Sequence, residues 1–464
     1  MWTGGTTLSP RGFAIVNSTR EQEKVIEPPL VIEHRDALTY MLNEAAELEH
    51  AIACQYLYAA FSMKRSTEEG VDERQLAAVD RWRRLILEIA TEEMLHLALV
   101  NNLLTAIGAA PRLGRPNLPQ RGRYYPPGVQ LAFVPFGEQA LRHFLFLERP
   151  EGINLQDAEG FESLEEAEPL MSEEDIIPRP QHFQTVGHLY RSIEDGFAHL
   201  VERHGEEWVF LGDEYAQATA SAFWWDDLIP VTDLASAHKA IGTIVEQGEG
   251  PRGHWKDAHY GRLLVILGEF LTMKRERPAF EPARPVEPAC VGRIIDTDPG
   301  ISVSEPFTSR LLEAFNVAYE IMLQTIARYF AHGHEDAGQL QTLADVAVGL
   351  MTKVIAPLGY LVTALPIGPE APGKTAGPSF EIFYRSGFVL PHTRQAWILI
   401  HERVHELDAF LDRFCRDAPP DVGAEPVLGE VQKALRGYAE KMASHMEGLP
   451  ERVMAPPLSW RSPT

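Results

Sequence analysis

Apolar residues recur every three to four positions along most of the chain, the spacing of helices that bury one face. A first such pattern runs from about Asp36 to Lys64, with Leu42, Ala46, Glu49, Ala53, Tyr56 and Ala60 on one stripe. A second runs from about Gln75 to Ile107 and stops at "GAAP", a glycine followed by proline. From Pro111 to His182 the period breaks into proline-rich pieces and short apolar runs, among them "LAFVPF" and "FLFLERPE". That stretch is too long for a simple bundle loop and reads as an irregular crossover. Helical spacing resumes over 184–204 and 232–247, is interrupted by "GEGPRGH", and continues over 255–274. Beyond the proline-rich "RPAFEPARPVEPA", four more helical patterns cover 305–332, 338–364, 392–415 and 427–447.

The expected fold is therefore all-α. A tail over 1–35 precedes a four-helix bundle over 36–274, which carries the crossover insertion at 111–182. A linker over 275–304, a second helical bundle over 305–447 and a tail over 448–464 follow.

Composition narrows the possible functions. A formal net charge of −24 over 464 residues makes nucleic acid and anionic membrane poor partners. The cysteines, Cys54, Cys290 and Cys415, lie far apart with no CxxC spacing, which argues against a disulfide framework, a structural zinc site or an iron–sulfur cluster. The amino terminus has no basic stretch leading into an apolar one, as a signal peptide would. No uninterrupted apolar run approaches the roughly 20 residues of a membrane span. A cytoplasmic setting is expected.

One stretch carries candidate chemistry. "IATEEMLHLALVNNLLTAIG", starting at Ile89, puts Glu93 and His96 one turn apart on the apolar face of Leu85, Ile89, Leu99 and Leu103. Ionised carboxylates are seldom buried unless paired or bound to a cation. Metal sites in helical bundles take a Glu from each of two helices and a Glu-x-x-His pair from each of the others. Glu49 on the first helix and Glu194, in line with Tyr190, Ala198 and Val201 on the third, fit the single-Glu positions. His259 lies on the inner stripe of Leu263, Ile266 and Phe270, but Lys256 occupies the place three residues before it.

In "IVEQGEGPRGHWKDAHY" the acids upstream of His259 are Glu246 and Glu249. Glycines and proline between them and the histidine let the chain loop out and return, so either acid can complete the set; periodicity favours Glu249 and the end of the intact helix favours Glu246. Carboxylates with imidazoles suit iron or manganese, with two iron ions (Fe2+/Fe3+) expected. Tyr56 and Tyr190, on the same inner stripes, are the candidates to tune or line the site. Glu92 is expected behind the ligands or capped by an arginine. His182, His188 and His199 read as surface or crossover residues, His401 and His405 in "HERVHELD" as a solvated or packing pair, and Trp224 with Trp225 as a packing anchor.

"LEHAIACQYLYAAFSM", "EEMLHLALVNNLLTAIGAAPRL", "FLFLERPE", "IVEQGEG…HY" and "AGPSFEIF…AWILIHERVHEL" resemble the ferritin-like family of the iminophenyl-pyruvate dimer synthases of bisindole biosynthesis, over about residues 36 to 447. The resemblance implies a ferritin-like bundle with Glu49, Glu93, His96, Glu194, Glu246 or Glu249, and His259 as metal ligands. It also implies coupling of amino-acid-derived imines, in enzymes that carry a further haem-containing, catalase-like region for which a chain of this length has no room. The favoured expectation is a stand-alone dinuclear iron oxidase or oxygenase using O2 on a small metabolite or peptide in biosynthesis. Such an enzyme would assemble as a homodimer, without nucleic acid or membrane. Imine coupling, iron oxidation and storage, and a metal-free scaffold are the alternatives.

Overall fold

The computed structural model describes residues 30–118, 129–153, 155–159, 161, 178, 181–250, 254–292, 301–383, 392–415, 418 and 423–446. Residues 1–29 and 448–464 of the expected tails, and part of the crossover, lie outside them. The all-α expectation holds. In chain order the helices are α1 (Arg35–Ser62), α2 (Glu73–Ala106), α3 (Glu138–Leu147), α4 (Val186–His204), α5 (Glu206–Val209), α6 (Ala220–Phe223), α7 (Leu234–Gly248) and α8 (His259–Glu276). The carboxy-terminal half adds α9 (Pro306–Phe330), α10 (Ala337–Leu350), α11 (Ala356–Val362), α12 (Thr393–Phe414) and α13 (Ala424–Ala443).

Local chemistry fixes several helix starts. Asp72 with Gln75, Asp233 with Ser236 and Asp336 with Gln339 form reciprocal capping boxes that open α2, α7 and α10. His34 accepts from the Ala37 N–H to open α1. Gly250, with φ +80°, follows α7 in a backbone region that favours glycine. Between α10 and α11 the helix widens into a π turn over Met351–Ile355, just before Pro357, whose ring cannot sit in an ordinary α turn.

The first bundle has two unbroken helices and two broken ones. α1 and α2, of 28 and 34 residues, pack along each other. α4 and α7 pair against one end of them, and α3 and α8 pair at the other. The bundle's third rod is thus split into α3 and α4, and its fourth into α7 and α8. At the second split the backbone folds back tightly: a Cβ on Gly261 would fall 2.3 Å from the Lys256 carbonyl oxygen.

In the second half α9 packs against α10 and α12, and α12 packs against α13. The run Ala337–Val362 is long and apolar enough to cross a membrane by length and composition, yet half of its apolar window is buried inside the structure. The described residues of the expected linker pack against the rest of the structure. Phe280 and Val286 are buried in it, Val286–Glu287 pairs with Thr375–Ala376, and Ala289–Cys290 pairs with Ile301–Ser302, both as parallel two-residue strands.

One apolar core runs from Leu30 to Met442 through both halves. α1 is the shared element. His50 and Cys54 both approach the Tyr319 hydroxyl of α9, and the Thr363 hydroxyl donates to the Phe61 carbonyl over 2.9 Å. Of the tryptophan pair, Trp225 stacks on Phe223, whereas Trp224 stands exposed with φ +57° at the end of α6.

A buried ion pair anchors the second half. Arg328 on α9 binds Glu335 over 2.6 Å with both side chains fully enclosed, and Glu335 also accepts from the Trp397 indole N–H at 3.0 Å. Removing one partner strands the other charge. Arg328→Met should therefore cost about 3–5 kcal/mol, measured by urea unfolding against the parent chain.

Candidate metal centre

The donors meet where the two broken rods are interrupted. Glu49 and Tyr56 project from α1, Glu93 and His96 from α2, Glu148 from the residue that ends α3, Tyr190 from the start of α4, Gln247 from the end of α7, and His259 from the first position of α8. Glu49, Glu93, His96 and His259 are all at most 2% exposed. They form two overlapping sets, Glu49–Glu93–His96 and Glu93–Glu148–His259, and in each set one donor atom per residue lies within 4.8 Å of the others. Glu93 belongs to both.

The imidazoles face inward through the same nitrogen. His96 Nδ1 lies 3.5 Å from Glu49 Oε2 and 3.5 Å from Glu93 Oε2. His259 Nδ1 lies 2.8 Å from Glu93 Oε1 and 3.5 Å from Glu148 Oε1, without hydrogen-bond alignment to either. The outer nitrogens have partners of their own. His259 Nε2 is 2.8 Å from Glu92 Oε2, and His96 Nε2 is 3.0 Å from Gln247 Oε1.

Asp227 settles which way the Gln247 amide points. Its carboxylate accepts from Gln247 Nε2 at 3.4 Å, so the amide oxygen faces His96. Both Nε2 atoms therefore carry hydrogen, and both Nδ1 atoms are directed at the carboxylates. Metal-bound histidines are held in this way, with the outer N–H given to an amide or carboxylate. The donor set fits a pair of hard or borderline divalent cations.

Two phenols hold the terminal carboxylates. Tyr190 donates to Glu49 Oε1 at 2.5 Å, and Tyr56 donates to Glu148 Oε1 at 2.7 Å. Burial holds both phenols well above their ordinary range, and the neighbouring carboxylates push the same way. They stay protonated and act as donors. A cavity of about 30 Å³, room for a water or two, opens beside the cluster between Glu49, Glu148, Tyr190, Val186, Ile244 and Glu249.

Three of the acids expected as ligands stand elsewhere. α4 starts at the level of the cluster and runs away from it, so Tyr190 reaches Glu49 while Glu194, one turn further on and roughly 6 Å lower, is half-buried outside the donor sets. Glu246 is exposed, because α7 turns its neighbour Gln247 toward His96. Glu249 lines the cavity but is committed to other groups: its carboxylate accepts from Arg191 at 2.9 Å and from the Glu151 N–H at 3.3 Å. It fills a notch that exists because residue 187 is glycine, where a Cβ would fall 2.3 Å from Glu249 Oε2.

Glu148 takes the place that sequence spacing gave to Glu194 and to Glu246 or Glu249. The signal was present, since Leu141, Phe144, Leu145 and Glu148 follow helical spacing on one face within "FLFLERPE" and its upstream turn. Glu92 behaves as expected, bound by Arg262 as well as by His259. His188 departs from expectation and is buried in the first turn of α4.

In the metal-free cluster, protons do the work of cations. Burial, with the charge of Glu93 added, raises Glu49 to about 8. Burial works against a charged His96, but the carboxylates of Glu49 and Glu93 outweigh it and lift the imidazole to about 10. His259 is likewise raised well above its ordinary value against burial, by Glu148 and Glu93, while burial's upward push on Glu93 is overcome by the two histidines, which hold it well below the carboxylate range.

The sign for stability follows from Glu49. Between the ordinary 4.5 and about 8 the folded state keeps a proton that the unfolded chain has lost, so stability falls as pH rises through this window. Denaturant titrations of the metal-free protein across it should show that fall, and Glu49→Gln, which cannot ionise, should lessen it, leaving the share that the raised Glu44, His96 and His259 contribute with the same sign. In a separate test, Gly187→Ala should destabilise by about 1–3 kcal/mol through the clash with Glu249, read from chemical denaturation.

Known proteins resemble this chain in sequence. Residues 42–267 match the family model described as Ferritin-like. The chain is 26% identical over 444 residues to a dichlorochromopyrrolate synthase of Lentzea aerocolonigenes, covering 84% of this chain and 42% of that one. It is 28% identical over 379 residues to a 2-imino-3-(indol-3-yl)propanoate dimerase of Chromobacterium violaceum, covering 75% of this chain and 34% of that one. The chain thus spans less than half the length of either relative. A crystal structure of a ferritin-like protein from Caulobacter vibrioides aligns at 17% identity with a TM-score of 0.42, over 69% of this chain and 96% of that one. The segment that matches the ferritin-like family model is the one that contains Glu49, Glu93, His96, Glu148 and His259.

Proposed function

We propose that the protein is a metal-dependent oxidative enzyme of biosynthesis, holding two iron ions between Glu49, Glu93, His96, Glu148 and His259 and acting with O2 on a small amino-acid-derived metabolite. The observation that carries this is the pair of three-donor sets sharing Glu93, with both Nδ1 atoms aimed inward. Iron suits oxygen and imidazole donors together, and manganese is the other metal they favour. When bound, the iron pair would supply the redox equivalents and the binding position for O2. The biosynthetic assignment draws on the two relatives, whose names describe a dichlorochromopyrrolate synthase and a 2-imino-3-(indol-3-yl)propanoate dimerase.

The chain's own residues have defined tasks in this scheme. Glu93 would contribute to both positions, with Glu49 at one and Glu148 at the other. Tyr190 and Tyr56 fix those two carboxylates in a single orientation by hydrogen bonds. Gln247 and Glu92 keep hydrogen on the outer imidazole nitrogens, which frees Nδ1 of each ring. Ile52, Leu147 and Ile244 wall the cavity and limit water at the centre.

Anaerobic titration with Fe(II) should show two equivalents bound. Glu93→Gln should weaken both, whereas Glu49→Gln and Glu148→Gln should each weaken one. Loaded protein should then consume O2 faster with 2-imino-3-(indol-3-yl)propanoate, the imino acid in the name of the Chromobacterium relative, than without it. Failure to bind iron or manganese would defeat the metal assignment, and binding without substrate-stimulated O2 uptake would defeat the choice of substrate.

A further inference from the structure

The two donor sets are nearly matched. Each has one imidazole presented through Nδ1, one terminal Glu held by a phenol, and the shared Glu93. The match ends one bond further out. Behind His259 stands the carboxylate of Glu92, 2.8 Å from Nε2. Behind His96 stands the neutral amide of Gln247, 3.0 Å from Nε2 and oriented by Asp227. A carboxylate behind an imidazole makes the ring a stronger donor and holds its tautomer more firmly than an amide does.

From this difference we infer that the two metal positions are unequal, and that Glu92 and Gln247 are positioning residues that make the Glu148–His259 position fill before the Glu49–His96 position. The inference rests on the dinuclear assignment above and adds an order of loading to it.

Two features could oppose that order. Arg262 bonds to the same Glu92 oxygen as His259 and offsets part of its charge. The hydrogen bond from the ring to a carboxylate nonetheless remains, and Arg262 pins that carboxylate in place. Glu148 and His259 also sit at helix ends, whereas Glu49, Glu93 and His96 lie within long helices. Both end residues are nevertheless already enclosed, His259 at 0% and the Glu148 side chain at 10% exposure, so little ordering remains for metal binding to supply.

Calorimetric titration of the metal-free protein with Mn(II) should resolve two events differing about tenfold or more in affinity, the range that such outer partners control. Glu92→Gln should weaken the tighter event about 10–100-fold and keep the stoichiometry of two. Gln247→Glu, nearly equal in size, should strengthen the weaker event and leave the tighter one alone. In a crystal given one equivalent of Mn(II), the anomalous peak should lie beside His259. Two equal events in the parent protein, a Glu92→Gln effect on the weaker event, or a first peak beside His96 would overturn the loading order while leaving the dinuclear assignment intact. Absence of any binding would instead remove that assignment and this inference with it.

Discussion

Carboxylates packed among leucines and isoleucines need positive charge beside them, and this requirement organises the amino-terminal half of the molecule. Glu49, Glu93 and Glu148 converge within a few ångströms in an apolar bundle. Left ionised and unpaired, such groups would each cost several kcal/mol. The metal-free protein meets the need with a retained proton on Glu49 and with charged imidazoles at positions 96 and 259. Any divalent cation that enters competes with those protons for the same oxygens and nitrogens. Folding, proton binding and metal binding therefore share one set of atoms.

The breaks in the bundle serve that set. An uninterrupted helix offers side chains to a point only at three- or four-residue spacing. Ending α3 at Glu148 and beginning α8 at His259 brings in donors from helix termini, while Tyr190 and Gln247 arrive from the facing termini of α4 and α7. The missing glutamate three residues before His259 is thus supplied from another rod. The notch at Gly187 has a related use, since it lets Glu249 tie α7 to Arg191 and to the backbone of Glu151 beside the cavity.

Much of this was legible in the chain. Helices α1, α2, α4 and α7 begin and end within about two residues of the periodic patterns, because caps and apolar stripes are local signals. The placement of Glu49, Glu93, His96 and His259 on inner faces was legible for the same reason. The third carboxylate was not. Choosing Glu194 required knowing how far along α4 the cluster sits, and that depends on where the rod is split, a tertiary fact. Glu148 was hidden because α3 is only ten residues long and lies in proline-rich surroundings that masked its period. Gln247 was passed over since an amide next to two acids carries no distinguishing pattern, although its role depends on that neutrality.

The position of α1 between the two halves has one more consequence. Glu49 and His50 are consecutive, and they point in directions roughly 100° apart around the helix. The first enters the donor cluster, and the second touches Tyr319 in the other half of the molecule. A rotation of α1 by even a few degrees would swing both at once, so the seating of α9 acts as a set-screw on the spacing between Glu49 and Glu93. Substitutions far from the cluster, at Tyr319 or at the Gly359 contact with Phe61, thereby gain leverage over its dimensions.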